Sequence, residues 1–311
     1  MRRLMFVSLA LGILLLAASW WLAAPAQPGL RAAWLFVLSL PAGAVPMLLV
    51  MEFFGAGAGA QAAGLRRLLI LLPAALLLAI PALLGTFHEP GSFWHDPLFV
   101  AVRSALYLLV WILLGRLLAR PRSGAPRLAL CRLGFLAYAV TATLAATDWI
   151  GGGQPGPDAA SLGLLLITSQ LVLAAAAARL LGAPPSPAMA VCGVAWGFVA
   201  FTRFLTTWSA DMPGEIVYYL HRDGALGQGV GWLGCAVVAA SLLALLPGPF
   251  QKISAFVAAL VLVAHGADFL CMVTPLRGRF TIAVPDVFAI AGGAALAAGV
   301  ITLRPASRQA P

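Results

Sequence analysis

Lys252 to Val273 reads KISAFVAALVLVAHGADFLCMV. After Lys252 no charged residue occurs until the pair His265 and Asp268. The stretch is as long as a helix must be to cross the hydrocarbon of a bilayer, about 20 mostly apolar residues. In lipid a lone segment can satisfy its backbone N–H and C=O groups only by coiling into a helix. The stretch therefore predicts a membrane-spanning helix, and His265 and Asp268, three residues apart, fall on one face of it.

Similar stretches recur along the chain. They predict spans near 4–24, 32–52, 67–85, 98–119, 128–147, 160–181, 188–209, 226–246, 252–273 and 283–303. Hydrophobic residues make up 62% of the 311 residues and charged residues only 9%, whereas a soluble domain carries roughly a quarter charged. Lipid must cover most of the exterior. The expected fold is all-α: one integral membrane domain over 1–311, a polytopic bundle of about ten transmembrane helices. Pro41, Pro46, Pro73 and Pro81 fall inside the second and third spans, where neighbouring helices absorb the lost hydrogen bonds and a kink is expected rather than a break. Arg2, Arg3, an apolar run and Ala24-Pro25-Ala26 also resemble a cleavable signal peptide. The run exceeds the usual 7–15 residues of such a signal, which favours a retained first helix.

Net charge is +9, yet the basic residues stand singly or in pairs beside apolar segments, as topology signals do. No basic run interleaves with aromatics, so nucleic-acid binding is not expected. With the N-terminus in the cytoplasm, that side receives Arg2, Arg3, Arg66, Arg67, Arg116, Arg120, Arg122, Arg127, Arg132, Arg179, Lys252, Arg304 and Arg308. The other side receives Arg31, Arg222, Arg277 and Arg279. This imbalance predicts a multi-pass protein with both termini cytoplasmic. Glu89, Asp96, Asp148, Asp158, Asp211, Glu215 and Asp223, with His88, His95 and His221, gather on the outer side.

Ionisable groups inside a bilayer are costly unless paired or hydrated. Arg103, Arg203, His265, Asp268 and Asp286 occupy such positions, all in the outer halves of their spans. Arg203 shares a helix face with Trp196 and Thr207. A buried Arg203–Asp268 pair with His265 beside it is expected, either as a proton-relay or quinol-contacting cluster or as a salt bridge that ties helices together. In the salt-bridge alternative, Arg103 and Asp286 lie close enough to the interface to be solvated. Ser169-Gln170 reads as an interhelical hydrogen-bonding pair.

The four cysteines, Cys131, Cys192, Cys235 and Cys271, form no C-x-x-C or iron–sulfur pattern, and His265 is the one histidine inside a span, where a bis-histidine haem needs two. No phosphate loop, G-x-S-x-G elbow or H-E-x-x-H is present, so self-contained hydrolase or nucleotide chemistry has no visible apparatus.

Three stretches carry more specific information. Phe201 to Ile216 (FTRFLTTWSADMPGEI) runs into Tyr218-Tyr219-Leu220-His221-Arg222; Phe135 to Trp149 (FLAYAVTATLAATDW) ends in Asp-Trp; Phe93 to Arg103 (FWHDPLFVAVR) is followed by Tyr107 and Trp111. Together with Leu65-Arg66-Arg67 they resemble ActF, a membrane subunit of bacterial alternative complex III in the NrfD/PsrC-like family. The likeness covers roughly residues 60–280. The family's Ser-Gln pair is Thr202-Arg203 here, and Gly214 stands for its first glutamate after Pro213. The resemblance implies two four-helix bundles with flanking helices in the bacterial inner (plasma) membrane. It also implies membership of a quinol:electron-acceptor (cytochrome c) oxidoreductase, with iron–sulfur and cytochrome c subunits and a second NrfD-like membrane subunit as partners. The chain itself would bind no cofactor or metal beyond a quinol or quinone. The functional polar set expected on this basis is Asp148, Asp211 and Glu215 for outer-face docking or proton exit, and Arg203, His265 and Asp268 as the intramembrane cluster. The alternatives are a transporter or channel using the same cluster, and a structural or assembly subunit of a respiratory complex.

Overall fold

The computed structural model describes residues 2–22, 28–83, 94, 96–120, 127–151, 159–210, 213–220, 222, 224–243, 253–273 and 282–302. Helix accounts for nearly all of them, and no strand occurs among the described residues. In chain order the helices are α1 (Arg2–Leu22), α2 (Pro28–Phe53), α3 (Ala60–Leu68), α4 (Leu71–Leu83), α5 (Pro97–Leu118) and α6 (Leu128–Ala146). A π-helical turn, Thr147–Gly151, extends α6. Beyond it come α7 (Ala159–Leu180), α8 (Ala188–Ser209), α9 (Pro213–Leu220), α10 (Ala225–Leu243), α11 (Ser254–Val273) and α12 (Val284–Thr302).

Nine helices among the described residues are long and apolar enough to cross a membrane. The chain is an all-α, polytopic membrane protein. The expected span at 67–85 is the exception. The chain turns at Leu69-Ile70, and α4 has 13 residues, a rise of about 20 Å, with 84–93 outside the described residues. α2, by contrast, continues through Pro41 and Pro46 without interruption.

α2 is the hub. Most of its residues are buried, and it touches α1, α3, α4, α5, α6, α7, α11 and α12. A helix apolar all round has no solvated face to keep outside, so it can be enclosed. Closed rings of contacts define two four-helix groups, α2–α4–α5–α6 and α7–α8–α10–α11, joined through α2 and α7, with the α1–α12 pair flanking α2. Small residues set the closest approaches, as is usual where lipid offers no hydrophobic drive. At Gly43 the α7 backbone is so near that a Cβ would overlap the Gln170 carbonyl. At Gly12 it would lie 2.7 Å from the Leu296 nitrogen.

Arginines finish one end of the bundle by capping helix C-termini, whose last carbonyls lack partners and carry partial negative charge. Arg66 donates from Nε to the Leu118 carbonyl at 2.9 Å and from Nη1 to that of Gly57 at 2.6 Å. Arg67 donates to Leu181 at 2.8 Å, and Arg127 to Leu117 at 3.1 Å. Glu52, buried at the end of α2, lies 3.4 Å from Arg127 Nε. Burial pulls the Arg66 pKa below its usual value, Glu52 opposing the shift and Arg127 adding to it. The residues that serve as topology signals in sequence are thus also the caps of α5 and α7.

Candidate functional site

Two polar clusters sit in the bundle away from the arginine-capped end. The first lies where α5 meets the π-helical turn. An added residue in a helical turn rotates the side chains beyond it, and here Asp148, Trp149 and Ile150 are all buried. Asp148 accepts from Arg103 Nε at 3.0 Å and from Nη2 at 2.7 Å, a two-pronged charge-assisted pair, and from the Tyr107 hydroxyl at 3.0 Å. Arg103 Nη2 also donates to the Trp94 carbonyl. The rings of Trp94 and Phe99 cover the guanidinium at 4.0 and 4.5 Å, a cation–π arrangement that offsets part of its desolvation.

Below it an aromatic cluster continues inward. Trp149 packs edge-on against Trp34, Tyr107 and Trp111. Each indole N–H finds an acceptor: Trp149 on Ser104 Oγ, Trp111 on Thr141 Oγ1, Trp34 on the Ala75 carbonyl. Tyr138 donates to Gln170 Oε1, an interhelical bond of the kind expected at Ser169-Gln170. This cluster is saturated and closed, with Arg103 Nη1 its one buried donor atom lacking a partner among the described residues.

The second cluster is the opposite case. α8, α9, α10 and α11 surround a cleft of about 920 Å³. Its lining includes Trp196, Arg203, Tyr218, Arg222 and Asp268. Arg222 is committed to structure: Nε and Nη2 donate to the Cys271 carbonyl at the end of α11, and Nη1 to the Tyr218 carbonyl. Two guanidiniums approach the Tyr218 ring, Arg222 at 3.7 Å and Arg203 at 4.6 Å. Arg203 Nε, Trp196 Nε1, His265 Nε2 and Asp268 Oδ2 are each buried with no hydrogen-bond partner among the described residues. Native structures rarely leave such groups unmet, and here three of them, on Trp196, Arg203 and Asp268, line one cavity. The Trp196 ring also lies 4.8 Å from that of His265. His265 Nδ1 is 3.0 Å from the Val261 carbonyl. A carbonyl only accepts, so Nδ1 carries a proton in this contact.

Four of the residues expected from sequence are thereby located. Trp196, Arg203 and Thr207 do form the buried face of α8. Arg203 and Asp268 line one cleft, but no ion pair joins them, and each presents a buried atom without a partner among the described residues. The buried pair is Arg103 with Asp148 instead. Asp148 is 4% exposed with its carboxylate filled by Arg103 and Tyr107, so it offers no surface group for docking. Arg103, expected near water, is 8% exposed. Asp286 is likewise buried rather than solvated. It accepts from the Ala283 backbone N–H just before α12, and Gly29 at the start of α2 packs on it. Asp211 lies outside the described residues, and so does the side chain of Glu215 in α9. His88, Glu89, His95, Asp158, His221 and Asp223 are outside them too.

The sequence singles out Tyr218 and Arg222 only through the resemblance and Glu52 not at all, and nothing in it shows that Arg222 caps α11, nearly fifty residues away. The π-helical turn that buries Asp148 is equally silent in sequence.

The fold and the cleft together define a polytopic helical membrane protein with an apolar-walled, partly polar cavity opening between its helices. Comparison with known families finds no family model that matches the chain, and a search of curated proteins finds no match.

Proposed function

We propose that the chain is a membrane subunit of a quinol:electron-acceptor oxidoreductase complex, similar to ActF of bacterial alternative complex III. In this reading it lies in the bacterial inner membrane with the arginine-capped end and both termini in the cytoplasm. Iron–sulfur and cytochrome c subunits meet its opposite end, a second NrfD-like subunit lies beside it, and the redox metals belong to those partners. Its own contact with the quinol pool is the cleft at Arg203 and Asp268. The observation that carries the reading is the set of buried polar atoms without a partner among the described residues, Arg203 Nε, Trp196 Nε1 and Asp268 Oδ2, on a cavity walled mostly by apolar and aromatic side chains, with Arg222 and Gln228 also in its lining. Such a combination suits a lipid-phase ligand with a small polar head. The residues that carry the resemblance also support it, since Arg103, Tyr107, Trp111, Tyr138, Asp148 and Trp149 pack into one cluster.

Affinity purification of a tagged chain from gently solubilised native membranes tests the proposal. Co-isolation of c-type haem and iron–sulfur subunits is the expected result. Isolation without any redox partner, together with substrate flux by the chain alone in liposomes, would replace it with a transporter.

A further inference from the structure

The start of a helix leaves its first backbone N–H groups unmet and gathers partial positive charge. α8 and α11 both start at the arginine-capped end of the bundle. The residues before them, Pro187 and Ile253, have no side chain that could accept from those N–H groups, and α8 shows no side-chain cap. The first intrahelical bonds run from Val191 to Pro187 and from Val257 to Ile253. Met189 and Ala190 of α8, Ser254 of α11 and Arg179 from the last turn of α7 all line one cavity of about 10 Å³. We infer that this cavity holds a single-atom anion, chloride or another halide. The site lies apart from the cleft at Arg203 and stands whether or not the quinol reading does.

The polar side chains around the cavity support this. Arg179 brings a full positive charge; its Nε donates to Ser254 Oγ at 2.9 Å and its Nη1 to the Ala183 carbonyl at 3.3 Å. Ser241, in the last turn of α10, lines the same space. Its exposure is 0%, and its Oγ has no hydrogen-bond partner among the described residues. A serine within a helix can turn its O–H back to the carbonyl four residues earlier; Ser241 does not. Gly193 makes room for its hydroxyl against α8, since a Cβ there would stand 3.3 Å from Ser241 Oγ. Gln61 of α3 also lines the cavity, and its Oε1 is buried without a partner among the described residues. A half-turn of that amide presents its N–H groups instead.

Charge selects the guest. No carboxylate occurs in the described lining, and Glu52, the acid at this end of the bundle, lies beside Arg127. A guanidinium, two helix starts and a hydroxyl free to donate all favour a negative ion. A neutral water would leave that charge unbalanced. Size selects among anions. A cavity this small takes one guest of roughly the bulk of a water molecule, which excludes phosphate, sulfate and lipid head groups and leaves a halide. Pro184 and Pro185 are exposed and belong to the lining, so the cavity reaches the surface beside them.

The test uses the purified full chain in detergent. Sodium chloride and sodium bromide are the probes, compared with sodium gluconate, whose anion is too large for the cavity, at one ionic strength. Equilibrium dialysis with radiolabelled chloride counts bound ions, and a thermal melt reads their effect. Wild type is expected to bind close to one chloride per chain, and its melting midpoint to rise saturably with chloride or bromide. Ser241→Ala is expected to weaken chloride binding about fivefold, the worth of one hydrogen bond. Ser254→Asp places a carboxylate at the start of α11 beside Arg179. It is expected to melt in gluconate at or above wild type and to gain nothing from chloride. No bound chloride, with equal melts in chloride and gluconate, would make the cavity a water site and overturn the inference. A rise that sulfate reproduces at matched ionic strength would reduce it to general screening. Chloride held as tightly by Ser241→Ala as by wild type would place the ion elsewhere and overturn it too.

Discussion

Asp148→Ala removes three hydrogen bonds at once, two from Arg103 and one from Tyr107, and leaves the Arg103 guanidinium buried without its counterion. What remains to Arg103 is the Trp94 carbonyl and the two ring faces. Deleting one partner of a buried pair costs about 3–5 kcal/mol, chiefly because the other charge stays buried. At roughly 3 °C per kcal/mol the melting midpoint falls by roughly 10 °C. Replacing both partners, Arg103→Met with Asp148→Leu, removes both charges and is expected to cost far less than the two single changes added together. Tyr107→Phe, which loses one hydrogen bond, costs about 1 kcal/mol. Native cysteines supply the assay. Cys131 and Cys271 are buried and become reactive on unfolding, and the exposed Cys235 is blocked beforehand. A thiol-reactive dye then follows the melt in detergent. Asp148→Ala melting with wild type, or a double variant losing as much as the sum of the singles, would refute the ion pair as the fastener of α5 to the end of α6.

Gly43→Ala places a methyl group against the Gln170 backbone and is expected to destabilise by at least the 1–3 kcal/mol of overpacking, whereas Gly134→Ala, which meets only the movable ends of Leu114 and Leu49, stays close to wild type in the same melt. Tyr138→Phe and Gln170→Leu each orphan one buried group and cost about 1–3 kcal/mol, while the double variant approaches neutrality. Arg67→Ala uncovers the Leu181 carbonyl and is expected to lower stability by about 1 kcal/mol. Reporter fusions are expected to read cytoplasmic after Arg304 and external after Arg222; the reverse pattern would invert the orientation.

Crossing helices were legible because the constraint behind them is one-dimensional. Twenty apolar residues in a row can do little else in lipid, and nine helices overlie the stretches read from the chain. The 67–85 stretch also shows what apolarity does not report, the turn at Leu69-Ile70 that precedes α4. Which charges meet is a three-dimensional matter. Helical spacing puts Arg203 on the Trp196 face, and Arg203 and Asp268 line one cleft, but no ion pair joins them among the described residues. The pair that formed, Arg103 and Asp148, depends on a π-helical turn that no periodicity announces. The cleft was invisible for a similar reason: it consists of missing atoms. Gly231, in its lining on α10 with nothing within 4 Å of where a Cβ would stand, reads in sequence as one more small residue in a membrane helix.

The most direct measurement is the lipid content of the purified chain itself. Solvent extraction and mass spectrometry of wild type is expected to recover a quinone at close to one per chain, and of Gly231→Phe almost none, with equal protein yields. Equal quinone in the two preparations, or none in either, would contradict the assignment of the cleft.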